Sequence, residues 1–169
     1  MEKFSIPYVG AIIERIKNGE REILLQTRNK PGYDPKYTGA LEIPAGKIRE
    51  YENIFDALKR EVREETGLKI KKIHGSKSRT FKAKGDENFS FNPFCCAQLA
   101  KGPHPYIGFY FICEAEKGEF TPQKEEVSKP KWVNASKLKQ MIDEEPQKFY
   151  VLHIAALKLY LGKNKKQHD

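Results

Sequence analysis

The chain has 169 residues, with 31 Lys and Arg against 23 Asp and Glu, for a formal net charge of +8. That length suits one domain with a core of its own, and eight Tyr, ten Phe and one Trp argue against disorder, which is poor in aromatics. No apolar run approaches the roughly 18 residues that a membrane span needs, and the start of the chain has no signal-peptide core. The expectation is a single cytoplasmic domain over residues 1–169 with no membrane partner. Cys95, Cys96 and Cys113 lack the spacing of a disulfide framework or a zinc site. They read as small buried hydrophobes in a reducing cytosol. The positive balance admits nucleic acid, a membrane surface or phosphorylated small molecules as partner, and charge alone does not choose.

In chain order, residues 8–16 and 21–28 are β-rich runs joined by Lys17-Asn18-Gly19-Glu20, where Asn-Gly supplies the positive φ of a tight hairpin. Residues 29–40 carry loop chemistry, and residues 40–44 turn extended again. From Asn53 the period changes. Ile54, Phe55, Leu58 and Val62 predict an amphipathic helix to about Thr66, stopped by Gly67. Residues 68–73, 88–99, 106–115 and 131–133 read as strands. Two helices close the chain, the first over 135–144 behind the N-cap Asn134. The second starts near Pro146 with an apolar stripe of Phe149, Leu152, Ala156 and Leu159, and Gly162 ends it. No repeat or linker divides the chain, so a mixed α/β domain is expected.

On the predicted motif helix, Glu61, Glu64 and Glu65 stand three and four residues apart and project from one face, away from the apolar stripe. Like charges so spaced repel, and they lie at the helix end where the dipole disfavours negative charge. A divalent cation offsets both costs, and clustered carboxylates suit a hard ion such as Mg²⁺ or Mn²⁺. Taken alone, the same acids also fit an ordinary solvated face.

The wider pattern is more specific. It runs Gly46, five residues, Glu52, seven residues, then Arg60-Glu61-Val62-Arg63-Glu64-Glu65-Thr66-Gly67-Leu68. Residues 46–68 match the signature of the Nudix hydrolase family without a mismatch, and its seven fixed positions would coincide by chance on the order of 10⁻⁹ per start site. The resemblance implies a Nudix-type α/β/α sandwich, a mixed sheet between the motif helix and the C-terminal helices of residues 135–162. It implies a loop–helix–loop holding divalent metal, Mg²⁺ or Mn²⁺, and hydrolysis of a nucleoside diphosphate linked to another moiety. Carried onto this chain, it makes Glu61, Glu64, Glu65 and the Gly46 carbonyl the metal ligands. Glu61 and Glu64 are then catalytic, with Arg60 orienting the acids through a salt bridge. Glu52 supports the cluster from behind or caps the helix, and of Glu125-Glu126 the favoured further acid is Glu126. Family members are often homodimers.

Substrate choice lies outside the motif. The Pro of many ADP-ribose hydrolases is absent, since residues 81–84 read Phe-Lys-Ala-Lys, and the Tyr of many dinucleoside polyphosphate hydrolases is missing there too. Asn92-Pro93-Phe94 only echoes the block of NADH hydrolases. Phe89, Phe91, Phe94, Tyr106 and Phe109 are candidates to stack on a base, with Phe94 and Tyr106 carried forward. Arg28, Lys30, Lys47 and Arg49 are candidates for phosphate, Arg28 foremost, while His104 reads as a lone loop histidine. Two functions stay open. One is metal-dependent hydrolysis of a nucleoside triphosphate, oxidised nucleotide or nucleotide sugar. The other is an RNA- or nucleotide-binding Nudix protein, regulatory or decapping-type, hinted at by the Lys-rich residues 162–166. The intact acids favour catalysis, and nucleic acid is not required to explain the charge.

Overall fold

The computed structural model describes residues 2–102, 104–122 and 127–162, with residues 127–129 described by backbone alone. The chain opens with a hairpin, β1 (Ile6–Lys17) and β2 (Glu20–Arg28), turned at Asn18 and Gly19, whose φ values of 52° and 78° fit the expected two-residue turn. Short strands β3 (Leu41–Glu42) and β4 (Ala45–Lys47) lead into helix α1 (Ile54–Thr66). There follow β5 (Ile70–Ile73), β6 (Arg79–Ala83), β7 (Asp86–Ser90), β8 (Cys95–Gln98), β9 (Tyr106–Ala115) and β10 (Val127–Asn134). Helices α2 (Ala135–Glu144) and α3 (Val151–Gly162) end the described chain. Among the described residues no helix is long and apolar enough to cross a membrane.

The sheet runs β10-β2-β1-β9-β5 and is mixed, because β1 is antiparallel to β2 and parallel to β9. Alternation along β1 divides the core. Tyr8 and Ile12 join a cluster with Leu138 and Ile142 of α2 and Leu157 and Tyr160 of α3. Val9, Ala11 and Ile13 join another with Ile54, Leu58 and Val62 of α1. Helices therefore cover both faces, and the expected α/β/α sandwich is what the chain builds.

Two expected elements are corrected. Residues 88–99 form two strands, not one, because Pro93 has no N–H to give a ladder and breaks the run between β7 and β8. β7 pairs instead with β6 in a separate two-stranded ribbon turned at Lys84 and Gly85. No apolar alternation announced β6, since all five of its residues are exposed. The last helix begins at Val151, after a 3₁₀ turn at Pro146–Lys148, so Phe149 precedes it. Its buried face is Leu152, His153, Ala156, Leu157 and Tyr160, while Leu159 is 52% exposed. A helix apolar nearly all round does not reveal its inner face by period.

The β1–β9 pairing is tight. Tyr8 lies opposite Gly108, and Tyr110 opposite Gly10. A Cβ on Gly108 would stand 2.2 Å from the Tyr8 ring, and one on Gly10 would stand 2.7 Å from the Tyr110 ring. The two phenols hydrogen-bond each other, and Tyr110 donates to the Leu152 carbonyl of α3. Gly108→Ala overpacks this crossing, and the expected cost is about 1–3 kcal/mol. Urea unfolding checks it through a lower midpoint at an unchanged m-value.

Candidate active site

Local signals shape the motif helix as anticipated. The Asn53 side chain accepts the Phe55 N–H at 2.9 Å, and Gly67 closes the helix at a φ of 79°. The acids sit differently from the sequence expectation. Glu61 and Glu65 are 4% and 2% exposed and continue the buried face begun by Ile54 and Leu58, so they do not stand apart from the apolar stripe. Glu64, with a quarter of its side chain accessible, is the outer member. What admits a buried Glu61 is Gly46 of β4. A Cβ there would lie 2.0 Å from the Glu61 carboxyl carbon, so any larger residue would displace the carboxylate from this place against the strand.

Arg60 gathers the outer acids. Its Nε and Nη2 donate to the two Glu52 oxygens at 2.6 and 2.8 Å, and Nη2 also donates to the Lys47 carbonyl at 3.1 Å. Nη1 pairs with Glu61 and lies 3.6 Å from Glu64. The bidentate bond from Arg60 holds the Glu52 carboxyl down to about 2, and the same contact raises the Arg60 guanidinium. Glu52 lies before the N-cap, in the loop, and also accepts the Arg49 N–H at 2.9 Å. It ties loop to helix.

Glu65 is held differently. Its Oε2 accepts from Gln26 Nε2 at 2.7 Å and from the Ala45 N–H at 3.0 Å, and it makes no ion pair among the described residues. Burial first, then the nearby charge of Glu42, push its carboxyl up to about 8, with Glu61 adding to the rise. Glu42 is raised as well, by burial, against the opposing pull of Arg28. Among the described residues no three His, Cys, Asp or Glu side chains stand grouped around one metal position as they lie. Arg60 occupies Glu61 and Glu64, and Gln26 occupies Glu65. The donor chemistry nonetheless fits a hard divalent ion, since every group is an oxygen and Glu65 is a buried carboxyl with no cation beside it.

Next to Gly46 and Glu61 opens a cavity of about 320 Å³. Tyr8, Tyr106 and Tyr150 line it together with Arg28, Glu42 and His153, all buried, and with Lys30, Tyr33 and Lys47. Arg28 is buried, pairs with Glu42 at 3.0 Å and with Asp34 at 3.5 Å, and sits 4.0 Å from the centre of the Tyr150 ring. Tyr33 stacks on His104 at 4.6 Å and shares hydrogen bonds with Tyr106 at 3.0 Å and Lys47 at 3.3 Å.

Of the residues singled out from sequence, Arg28, Lys30, Lys47 and Tyr106 line this cavity. Arg28 faces two acids, so its charge is already matched, in contrast to the phosphate contact foreseen for it. Phe94 does not line the cavity; its ring meets Tyr160 edge-on at 6.2 Å. Phe89, Phe91 and Phe109 pack with Phe55 and Phe111 on the α1 side of the sheet. Arg49 lies 3.9 Å from Glu64. Glu125, Glu126 and Lys163–Lys166 lie outside the described residues. Sequence reasoning missed Tyr8, Tyr33, Glu42, Tyr150 and His153, which reach the cavity from β1, a loop, β3, the residue before α3 and the first turn of α3. Only Glu42, an acid in an apolar run just before the motif, carried a signal that pointed there.

The family profile described as NUDIX domain matches residues 6–153. No curated protein matches the chain by sequence. Among solved structures, the MutT protein of Methanosarcina mazei Go1 is 22% identical with a TM-score of 0.63, over 98% of this chain and 99% of that one. The NUDIX domain of Shewanella oneidensis NrtR, solved with ADP ribose, is 18% identical with a TM-score of 0.60, over 94% and 90%. A C. elegans Ap4A hydrolase binary complex is 19% identical with a TM-score of 0.56, over 92% and 94%. At such identities the likeness is one of fold, and family rests on the profile. Because that profile spans most of the chain, and the pyrophosphohydrolase signature within it is intact and folded as a loop–helix–loop, the protein belongs to the NUDIX family of hydrolases.

Proposed function

We propose that the protein hydrolyses the pyrophosphate bond of a small nucleoside diphosphate-linked substrate, using Mg²⁺ or Mn²⁺ held by Glu61, Glu64, Glu65 and the Gly46 carbonyl. The observation that carries this reading is Glu65, a buried carboxyl without a counter-ion, placed one helical turn from Glu61 against the backbone of residues 45–46. When bound, the ion supplies charge neutralisation to the pyrophosphate and a nucleophile near neutral pH. The chain's own residues do the rest. Arg60, clamped by Glu52, keeps Glu61 and Glu64 in register with the loop. Lys30 and Lys47 offer cations to phosphate beside the acids, and Tyr106 with its neighbouring tyrosines offers rings to the nucleoside. Glu126 is retained as the proposed further acid, general base or ligand. Two structural relatives solved as an ADP-ribose complex and as an Ap4A hydrolase support a small nucleotide as substrate.

Turnover of a panel of nucleoside triphosphates, nucleotide sugars and dinucleotides tests the reading, the products being read as phosphate after added pyrophosphatase for the triphosphates and after added phosphatase for the phosphatase-resistant nucleotide sugars and dinucleotides. With Mg²⁺ at least one substrate turns over, and Glu64→Gln lowers kcat on the order of 100-fold or more. Equal activity of the variant, or no turnover of any substrate, overturns it.

The raised Glu65 carboxyl sets a pH dependence. Between its ordinary value of 4.5 and about 8, the native metal-free protein holds a proton that the unfolded chain has released. The contribution is therefore complete below the unfolded value and is lost as pH rises through the folded one. The melting temperature in EDTA is expected to fall as pH rises from about 4.5 to about 8 and to level off above it. Glu65→Gln flattens that slope, and Mg²⁺ restores stability at the alkaline end of the wild-type profile. A slope unchanged in the variant assigns it to another group.

A further inference from the structure

His153 in the first turn of α3 is 2% exposed and lies in the cavity wall. Its Nδ1 accepts the backbone N–H of Ile43 at 3.2 Å. The lone pair used there puts the ring proton on Nε2. Nε2 makes no hydrogen bond among the described residues. It is also not sealed off, unlike Gln26 Oε1, Arg28 Nε and His104 Nε2, the buried polar side-chain atoms that lack a partner. A partnerless donor that keeps access, on a residue otherwise enclosed, opens onto the cavity that the residue lines.

The surroundings fix both the ring's place and its charge. Tyr110 and Tyr150 meet it edge-on at 6.0 and 5.5 Å, and Tyr8 lies 6.5 Å away. Burial, and then the Arg28 charge, push its pKa down to about 3, so the ring is neutral. A neutral imidazole whose Nδ1 is taken is neither a counter-ion for phosphate nor a base. The Ile43 amide explains one nitrogen only. Glu42, next to Ile43 on the same chain, lines the same cavity with a carboxylate. The cavity therefore offers a neutral donor beside an ion pair, Arg28 with Glu42, whose charges are already matched, while Lys30 and Lys47 add cations to the same lining.

We infer that His153 is a specificity residue whose Nε2–H, aimed by the Ile43 amide, donates a hydrogen bond to a carbonyl, ring nitrogen or hydroxyl on the nucleoside end of the substrate. The inference rests on the hydrolase reading for the orientation of the substrate alone. Its test therefore uses binding, without metal or turnover.

Asn at position 153 keeps an acceptor near the Nδ1 position for Ile43 and loses the reach of Nε2. Gln restores an N–H near Nε2. AMP, GMP, UMP and ribose 5-phosphate are titrated into the whole protein in EDTA by calorimetry. At least one is expected to bind, His153→Asn weakens the tightest of them about 10-fold or more, and its melting temperature stays within about 2 °C of wild type. His153→Gln retains binding within about threefold. With Mg²⁺ and a turned-over substrate, the Asn variant raises KM and leaves kcat nearly unchanged. Wild-type affinity in a folded Asn variant, or no binding by any of the four ligands, overturns the inference. If the Asn variant does not fold, the Gln variant decides, and loss of its binding overturns the inference. Binding that depends on His153 without hydrolysis of any substrate keeps the inference and removes the hydrolase reading instead.

Discussion

Burying three carboxylates in one another's field is the constraint around which this centre is arranged. Glu42, Glu61 and Glu65 are each at most 4% exposed, and an uncompensated buried charge is costly. The chain answers each in a different way. Arg28 matches Glu42, Arg60 matches Glu61, and Glu65 receives only an amide and a backbone N–H. The pairings also hold the loops. Arg28 reaches Asp34 in the loop after β2, and Arg60 reaches Glu52 in the loop before α1 and the Lys47 carbonyl at the end of β4. The electrostatic solution and the shape of the cavity are thus one arrangement.

Steric permission complements it. Gly46 lets Glu61 lie against β4, while Gly10 and Gly108 let two tyrosine rings lie across the central strands. Tyr8 then reaches the cavity, and Tyr110 braces the start of α3, where His153 stands. Three glycines on three strands, β4, β1 and β9, therefore bear on one site. Interiors packed as closely as this one transmit such displacements instead of absorbing them.

Much of the acidic half of the site was legible in the sequence, because it is local. The motif fits within residues 46–68, helical period aligns Glu61 with Glu65, and Asn53 and Gly67 mark the ends by their own backbone chemistry. Period alone could not say that those acids continue the buried face, since that depends on what β4 lacks. The other half is not local. Tyr8 and Leu152 touch across 144 positions of sequence. The phenylalanines drawn out as base-stacking candidates lie in the two cores, whereas tyrosines, whose hydroxyls need partners, line the cavity. His153 left no trace because α3 is apolar on nearly every side, and a single polar residue there looked like a break in a stripe.

The sheet ends on β10 on one side and on β5 on the other. β10 carries a bulge between Ser128 and Lys131 that contains Pro130, and β5 carries Lys71 and Lys72, both exposed. Proline has no N–H to offer a further strand, a bulge twists the edge out of register, and crowded ammonium groups repel a second copy of the same edge. Part of the excess of lysine thus lies on a sheet edge, away from the cavity. There, with the bulge and proline of β10, it makes the open margins of a mixed sheet poor templates for added strands between molecules, a hazard that grows with concentration.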